Sequence, residues 1–107
     1  MNLPKVVADL VETQNSFDSV AYANCFSETA VVFDEGKTHN GKKEIEGWIA
    51  DSNKRYRATI KPVGFEEKET ESFLMAETSG NFDGSPIVLT YHMIIADELI
   101  QSLKVTG

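Results

Sequence analysis

Three stretches decide the fold of this chain: SFLMAETSGNF (residues 72–82), PIVLTYHMIIA (residues 86–96) and LIQSLKV (residues 99–105). Their apolar and polar residues alternate with a period of two, and β-branched and aromatic residues are frequent, which is typical of β-strands. The segments between them are short, so neighbouring strands should pair antiparallel. A fourth strand, RYRATIKPVGF (residues 55–65), precedes them. The second half of the chain therefore predicts an antiparallel meander.

Gly80 lies inside the stretch predicted as the second of these strands. A glycine within a strand often marks a β-bulge, and a bulge bends the sheet. We therefore expect the meander to be curved.

The first half of the chain has helical spacing instead. Pro4 suits the first turn of a helix, and apolar residues recur at helical spacing as far as Gln14, so residues 4–14 predict an amphipathic helix. Ser16 is predicted to cap a second helix, with Asp18 in its first turn. The buried side of that helix is predicted to consist of Phe17, Val20, Ala21 and Cys25.

A short strand, residues 30–33, is predicted next, and it ends at Asp34 and Glu35. A third helix is predicted to begin at Asn40 or Gly41. Its inward stripe is predicted to be Ile45, Trp48, Ile49 and Ser52. Helices followed by a long antiparallel meander give an α+β fold class.

Length and composition restrict the function classes. A chain of 107 residues predicts one domain, residues 1–107. The net charge of -7 disfavours nucleic acid and anionic membranes as partners. The single cysteine, Cys25, excludes an internal disulfide and a multi-cysteine zinc site, and it favours a cytoplasmic location. Pro4 and Asp9 interrupt the apolar run that a signal peptide would need.

The strand PIVLTYHMII is apolar on both faces. Leu89, Tyr91 and Met93 share one face, and Val88 and Ile94 share the other. A strand in a small single sheet rarely buries both faces within one chain. A partner subunit is the simplest cover for the second face, so we expect a two-fold homodimer.

The order of these elements, with the segments FSETAVVFDEG, NGKKEIEGW and SGNFDGSPIVLTYHM, resembles the SnoaL-like branch of the nuclear transport factor 2-like superfamily. The resemblance covers nearly the whole chain. It implies a cone-shaped, cystatin-like α+β barrel, in which a strongly curved antiparallel sheet wraps the N-terminal helices and an apolar pocket opens at the mouth. It also implies pairing through the outer sheet face. The family includes ketosteroid isomerase, polyketide cyclases, scytalone dehydratase and epoxide hydrolase, so the fold alone does not name a reaction.

Ketosteroid isomerase gives the most detailed comparison. Its segment from the first helix to the first strand aligns without a gap on residues 9–35, which places its general-base aspartate on Asp34. Its oxyanion tyrosine falls on Leu10, which cannot donate a hydrogen bond, and its second oxyanion donor falls near Tyr91. The residues therefore imply Asp34 as a base and Tyr91 as a donor. The two histidines, His39 and His92, do not reproduce the dehydratase pair, and the core strands lack the arginine of the epoxide hydrolase.

Alternative interpretations of these residues remain open. Asp34 either faces the pocket or caps the turn that follows its strand. Tyr91 either donates to a ligand or bonds a backbone carbonyl in the core. Trp48 either packs in the core or lines the pocket, and Gln14 and Glu77 each need a polar partner if they are buried.

The predicted pocket residues besides Asp34 and Tyr91 are Leu10, Gln14, Trp48, Glu77, Leu89 and Met93. No metal site and no cofactor is indicated. The sequence predicts a protein that binds a small, largely apolar molecule. If it is an enzyme, it is a cofactor-independent isomerase, cyclase or lyase that acts on a carbonyl compound. The alternative is a non-catalytic dimeric binding or adaptor module with a closed pocket.

Overall fold

A computed structural model describes all 107 residues. The helices are α1 (Lys5–Asn15), α2 (Ser19–Ala23) and α3 (Lys42–Tyr56). The strands are β1 (Phe26–Asp34), β2 (Lys37–Asn40), β3 (Thr59–Glu67), β4 (Ser72–Ser79), β5 (Ile87–Ala96) and β6 (Leu99–Thr106). The helices come first and the meander last, which confirms the α+β class. No helix combines the length and the apolar character that crossing a membrane requires.

The six strands form one sheet in the order β2-β1-β6-β5-β4-β3. The pairs β3–β4, β4–β5 and β5–β6 are antiparallel as predicted, but β1 pairs parallel with β6. The sheet is therefore mixed: the meander is antiparallel as predicted, and β1 with β6 is its parallel pair. The reason is that α3 returns the chain before β3 begins, and the three reversals that follow leave β6 running in the direction of β1. The sheet wraps the helices as a cone.

The bulges that interrupt the regular pairing are not at Gly80. They lie between Pro62 and Gly64 in β3, at Gln101 of β6 where its pairing with Ile94 and Ile95 shifts, and in the β1–β6 pairing. Gly80 instead follows the end of β4, where the chain passes against the end of α3. A Cβ atom on Gly80 would lie 2.7 Å from the Tyr56 carbonyl oxygen, so the residue is required for a close approach and not for a bulge.

The start of α2 differs from the prediction and changes which residues are buried. Asp18 is the N-cap, and its Oδ1 accepts a hydrogen bond from the Ala21 N–H at 3.0 Å. With the helix beginning at Ser19, Tyr22 faces the interior at 2% exposure, whereas Val20 is 56% exposed. Cys25 is buried as predicted.

Two further differences lie around β1. This strand begins at Phe26, four residues before its predicted start, and residues 37–40 form β2 where a loop was predicted. The helix prediction at Gly41 is confirmed, because Gly41 is the N-cap of α3.

The core lies between the helices and the concave face of the sheet. Its fully buried members include Leu10 from α1, Phe26 and Val32 from β1, and Met93 from β5. On the convex face, Phe33, Val88 and Ile94 remain between 42% and 53% exposed.

Candidate functional site

A cavity of about 410 Å³, called the pocket below, lies between the helices and the end of the sheet where β5 begins. It receives side chains from all three helices and from all strands except β2. Its lining residues are Gln14, Tyr22, Asp34, Glu35, Trp48, Ile49, Ser52, Tyr56, Ala58, Ile60, Thr78, Phe82, Ile87, Leu89, Tyr91, Val105, Thr106 and Gly107. Most of them are hydrophobic, and none is Lys, Arg or His. Asp34 and Glu35 are its only charged side chains.

Asp34 is the last residue of β1 and is half-buried in the pocket wall. Burial raises the pKa of its carboxyl group above the ordinary value, and the negative charge of Glu35 raises this pKa further. Hydrogen bonding from Trp48 and from the Glu35 backbone, and the charge of His39, oppose this rise in the pKa. The carboxylate is thus a stronger base than a solvated aspartate.

Tyr91 points into the pocket from β5 and is 8% exposed. Burial raises its pKa, and the charge of Asp34 raises this pKa further, whereas Thr78 opposes the rise. The phenol therefore stays protonated at neutral pH and is available as a hydrogen-bond donor.

Tyr22 is a site residue that the sequence reasoning missed. Burial raises its pKa well above the ordinary value, and the next causes include the nearby Tyr91 and Asp34. Its hydroxyl makes no hydrogen bond within the chain, yet it is not a sealed polar atom, so it opens onto the pocket. The signal that could have located it is Asp18, whose capping of α2 fixes the inward face of that helix.

Trp48 connects the buried part of the site to the surface. Its ring lies 6.1 Å from that of Tyr22, measured between centroids, and 5.4 Å from the ring of His39, on which it stacks. This position gives the pocket a rigid aromatic wall beside Asp34.

Gln14 lines the pocket, but its amide group is already used within the fold. Its Nε2 donates to Asn53 Oδ1 at 3.1 Å and to the Ala58 carbonyl oxygen at 2.8 Å. These bonds tie the end of α1 to α3 and to the start of β3. The side chain can therefore offer a ligand only its carbonyl oxygen.

Three predicted pocket residues are placed elsewhere. Leu10 and Met93 are fully buried and do not line the pocket, because the interior is packed solid at the level of the sheet that they occupy. Ala76 and Thr78 are on the inward side of β4. Glu77 lies between them in sequence, so it is on the outward side and is exposed. The structure therefore brings together Asp34, Tyr91, Gln14, Trp48 and Leu89, and leaves these three out.

A larger hollow of about 920 Å³ lies at the opposite end, between α1 and the β5–β6 hairpin. Of its lining residues only Val6 and Cys25 are buried, and the others are largely exposed, so it is a surface groove. Burial raises the pKa of the Cys25 thiol to about 11, which makes it a poor nucleophile. No group of three or more His, Cys, Asp or Glu side chains could hold a metal ion.

Solved structures provide the comparison with known proteins. A candidate polyketide cyclase from Sinorhizobium meliloti is 31% identical to this chain; the match covers 97% of this chain and 95% of that one, with a TM-score of 0.92. A hypothetical protein with a ketosteroid isomerase-like fold from Catenulispora acidiphila, solved with trimethylamine, is 17% identical, with a TM-score of 0.88 and coverage of 99% and 87%.

An NTF2-like protein of unknown function from Cytophaga hutchinsonii is 13% identical, with a TM-score of 0.79 and coverage of 99% and 90%. The similarity of the last two proteins concerns the fold alone. No protein-family model matches the sequence, and no curated protein matches it.

Proposed function

Because this chain belongs to the SnoaL-like branch of the nuclear transport factor 2-like superfamily, we propose that its pocket binds a small, largely apolar carbonyl compound and removes a proton beside the carbonyl group. One observation carries the proposal. A half-buried carboxylate, Asp34, and two protonated phenols, Tyr22 and Tyr91, open onto the same apolar cavity.

The chemistry needs only these side chains. The Asp34 carboxylate takes a proton from the carbon next to the carbonyl group, and the electron pair of the broken C–H bond moves to the carbonyl oxygen. Tyr22 and Tyr91 donate hydrogen bonds to the enolate oxygen that forms. Return of the proton to another carbon completes an isomerisation. Attack of the enolate on a second carbonyl group, whose oxygen then takes the proton from Asp34, completes an aldol cyclisation.

The volume and lining of the pocket support this class of ligand. About 410 Å³ lies within the usual range for small-molecule pockets, and it argues against a cone that is filled by its own side chains. Without a cation in the wall, the pocket does not favour a carboxylate or phosphate group on the ligand.

Isomerisation of cyclohex-3-enone to its conjugated isomer, followed by ultraviolet absorbance, tests the proposal. The Asp34→Asn variant should lose at least ~100-fold in rate, which is the usual contribution of a positioned base. Glu77→Gln is the matched control, because Glu77 is a carboxylate on the opposite face. An Asp34→Asn variant as fast as the native chain, or a native chain no faster than buffer, would refute the proposal.

A second candidate function is the binding of a small organic amine without catalysis. The pocket presents two carboxylates and five aromatic rings, the chemistry that receives alkylammonium ions, and a protein of the same fold has been solved with trimethylamine. Trp48 is the only tryptophan, so its fluorescence reports binding. Tetramethylammonium should bind at least ~10-fold tighter than neutral tert-butanol if this function holds, since cation–π and charge terms together should add at least about 1.4 kcal/mol. Equal affinity would exclude it.

We also propose that two copies pair through the convex sheet face, where Phe33, Val88 and Ile94 are exposed. Sedimentation at micromolar concentration should give twice 11.9 kDa. Val88→Asp, which places a charge on this face, should give the single-chain mass, and Val20→Asp on α2 should not. A native species of 11.9 kDa would remove the dimer. The cytoplasm is the proposed location because the one cysteine is free.

A further inference from the structure

Asp34 lies in the wall between two cavities. Beside the pocket is a second cavity of about 110 Å³, called the vestibule below. The residues that line both cavities are Asp34, Glu35, Trp48, Ser52 and Tyr56. The base can therefore be reached from one side by a ligand and from the other side by solvent.

The vestibule differs from the pocket in chemistry. Its remaining lining residues are Lys37, His39, Asp51 and Arg55, so it carries both signs of charge and a histidine. Its volume would hold roughly three to four water molecules at about 30 Å³ each. It is too small for the ligand that the pocket could take, but it is suited to proton transfer.

His39 is the vestibule residue best placed to act on Asp34. It lies on β2 opposite Val32, a buried residue of β1, so its side chain turns towards α3. There it stacks on Trp48 with the ring planes 29° apart. When His39 is protonated, its charge lowers the pKa of the Asp34 carboxyl group. Histidine is also the side chain that gains and loses a proton most readily near neutral pH.

We infer that His39 takes the abstracted proton from Asp34 through the vestibule and passes it to solvent while the ligand occupies the pocket. The inference rests on the proposed function of Asp34 as a base. After abstraction the proton is held as an O–H group on Asp34. It moves to a ring nitrogen of His39, directly or through water, which restores the carboxylate and leaves an imidazolium that releases the proton to solvent. His39 does not contact the ligand and acts only through Asp34, so it is a positioning residue.

Other charged or titratable groups face Asp34 from the elements around it, and any pH profile contains their contributions. They are Tyr22 on α2, Glu35 in the turn, Lys37 on β2, Asp51, Arg55 and Tyr56 on α3, and Tyr91 on β5. Of the side chains around Asp34, His39 alone is a histidine.

Isomerisation of cyclohex-3-enone in deuterium oxide separates the two steps. The conversion rate measures proton abstraction, and the deuterium content of the product measures how often the proton left Asp34 before it could return. With the native chain, most product molecules should carry deuterium. With His39→Gln or His39→Phe, most should retain the original proton, with KM unchanged and the conversion rate within about threefold, well below the ~100-fold that loss of the base would cost.

The variants also distinguish the relay from simple packing. His39→Phe keeps a ring on Trp48 but cannot accept a proton, so it should behave as His39→Gln does. Since protonated His39 lowers the pKa of Asp34, the acidic limb of the rate profile should move to higher pH in both variants. His92→Gln is the matched control, because His92, the only other histidine, lies on the convex face and bonds Thr106.

Each outcome of this experiment either supports the proton relay or contradicts it. Deuterium content that falls in both His39 variants and not in His92→Gln supports the relay. Unchanged deuterium content in the His39 variants overturns it and leaves the proposed function standing, as does a loss in His39→Gln that His39→Phe restores. If the native chain does not convert the probe, the proposed function fails and the relay fails with it.

Discussion

The two ends of the cone interior are buried to a similar degree but differ in what the buried groups contact. At the packed end, Leu10 and Met93 are fully buried among apolar side chains of the core. At the open end, Tyr22 and Tyr91 are 2% and 8% exposed, yet they face a cavity of about 410 Å³. Burial alone therefore does not separate core from site. The distinguishing feature is a hydroxyl that has no partner in the chain and reaches the cavity.

Gln14 and Tyr22 show the same contrast within the open end. The Gln14 amide group donates hydrogen bonds to Asn53 Oδ1 and to the Ala58 carbonyl oxygen, so its burial is compensated inside the fold. The Tyr22 hydroxyl has no such partner. A hydroxyl in this state costs stability unless water or a ligand satisfies it, so it is free to bond a ligand in the pocket.

The largest difference between the two ends should appear when a leucine is truncated in each. Leu10→Ala removes a fully packed side chain and should lower the free energy of unfolding by about 2–5 kcal/mol. Leu89→Ala only enlarges an existing cavity, so it should cost less than about 1.5 kcal/mol. Urea unfolding followed by circular dichroism measures both. Equal costs would mean that the pocket is closed in solution.

A smaller change in the free energy of unfolding is expected when a hydrogen bond that connects the elements around the open end is removed. Asn53→Ala leaves an N–H of Gln14 without its acceptor, and it should lower the free energy of unfolding by about 1–3 kcal/mol. Ser52→Ala, one residue earlier on α3 and without a hydrogen bond to Gln14, should change it by less than about 0.5 kcal/mol. If both variants unfold at the native urea concentration, Gln14 is satisfied by something other than Asn53.

Removing either phenol hydroxyl should affect activity much more than stability. Tyr22→Phe and Tyr91→Phe should each change the free energy of unfolding by less than about 0.5 kcal/mol, because neither hydroxyl is required to satisfy the fold. Each should slow isomerisation of cyclohex-3-enone by at least ~10-fold, since each removes a donor to the enolate. Tyr56→Phe is the control, because its hydroxyl bonds Glu35 at the surface. A variant that is destabilised but fully active would show that the substituted tyrosine has a structural role in the core.

The same contrast explains which parts of the molecule could be predicted from sequence. The order of elements followed from periodicity, because helices and strands bury their residues at fixed spacings. The parallel pairing of β1 with β6 did not, since it joins segments about seventy residues apart and depends on the direction in which α3 returns the chain. The Gly80 prediction was wrong because glycine signals a close backbone approach as readily as a bulge.

The pocket was harder to predict than the fold, because alternation along a strand gives the face of a residue but not its depth in the cone. Leu89, Tyr91 and Met93 share one face of β5, yet the first two line the pocket and the third is packed solid. The placement of Tyr22 depended on a difference of two residues, whether Ser16 or Asp18 caps α2. Glu77 was predicted to line the pocket, but it occupies the convex face of β4.

The smallest effect should come from the charge of Asp34. Its pKa is raised in the folded chain by burial, so the folded state binds this proton more tightly than the unfolded state does. Stability should therefore fall as pH rises from the ordinary aspartate value of 3.8 through the raised pKa, and stay lower above it. Asp34→Asn removes this penalty and should be more stable at neutral pH by on the order of 0.5 kcal/mol, a small gain because water reaches half of the carboxyl group.

The pH dependence gives this last prediction its control. Below pH 3.8 the carboxyl group is protonated in both states, so the stabilities of native chain and Asp34→Asn should converge there. Asp83→Asn, which changes a carboxylate on the exposed loop before β5, should show no such pH-dependent gain. An Asp34→Asn variant less stable than the native chain at neutral pH would mean that the fold needs this charge, and the packed and open ends would then differ less than their contacts imply.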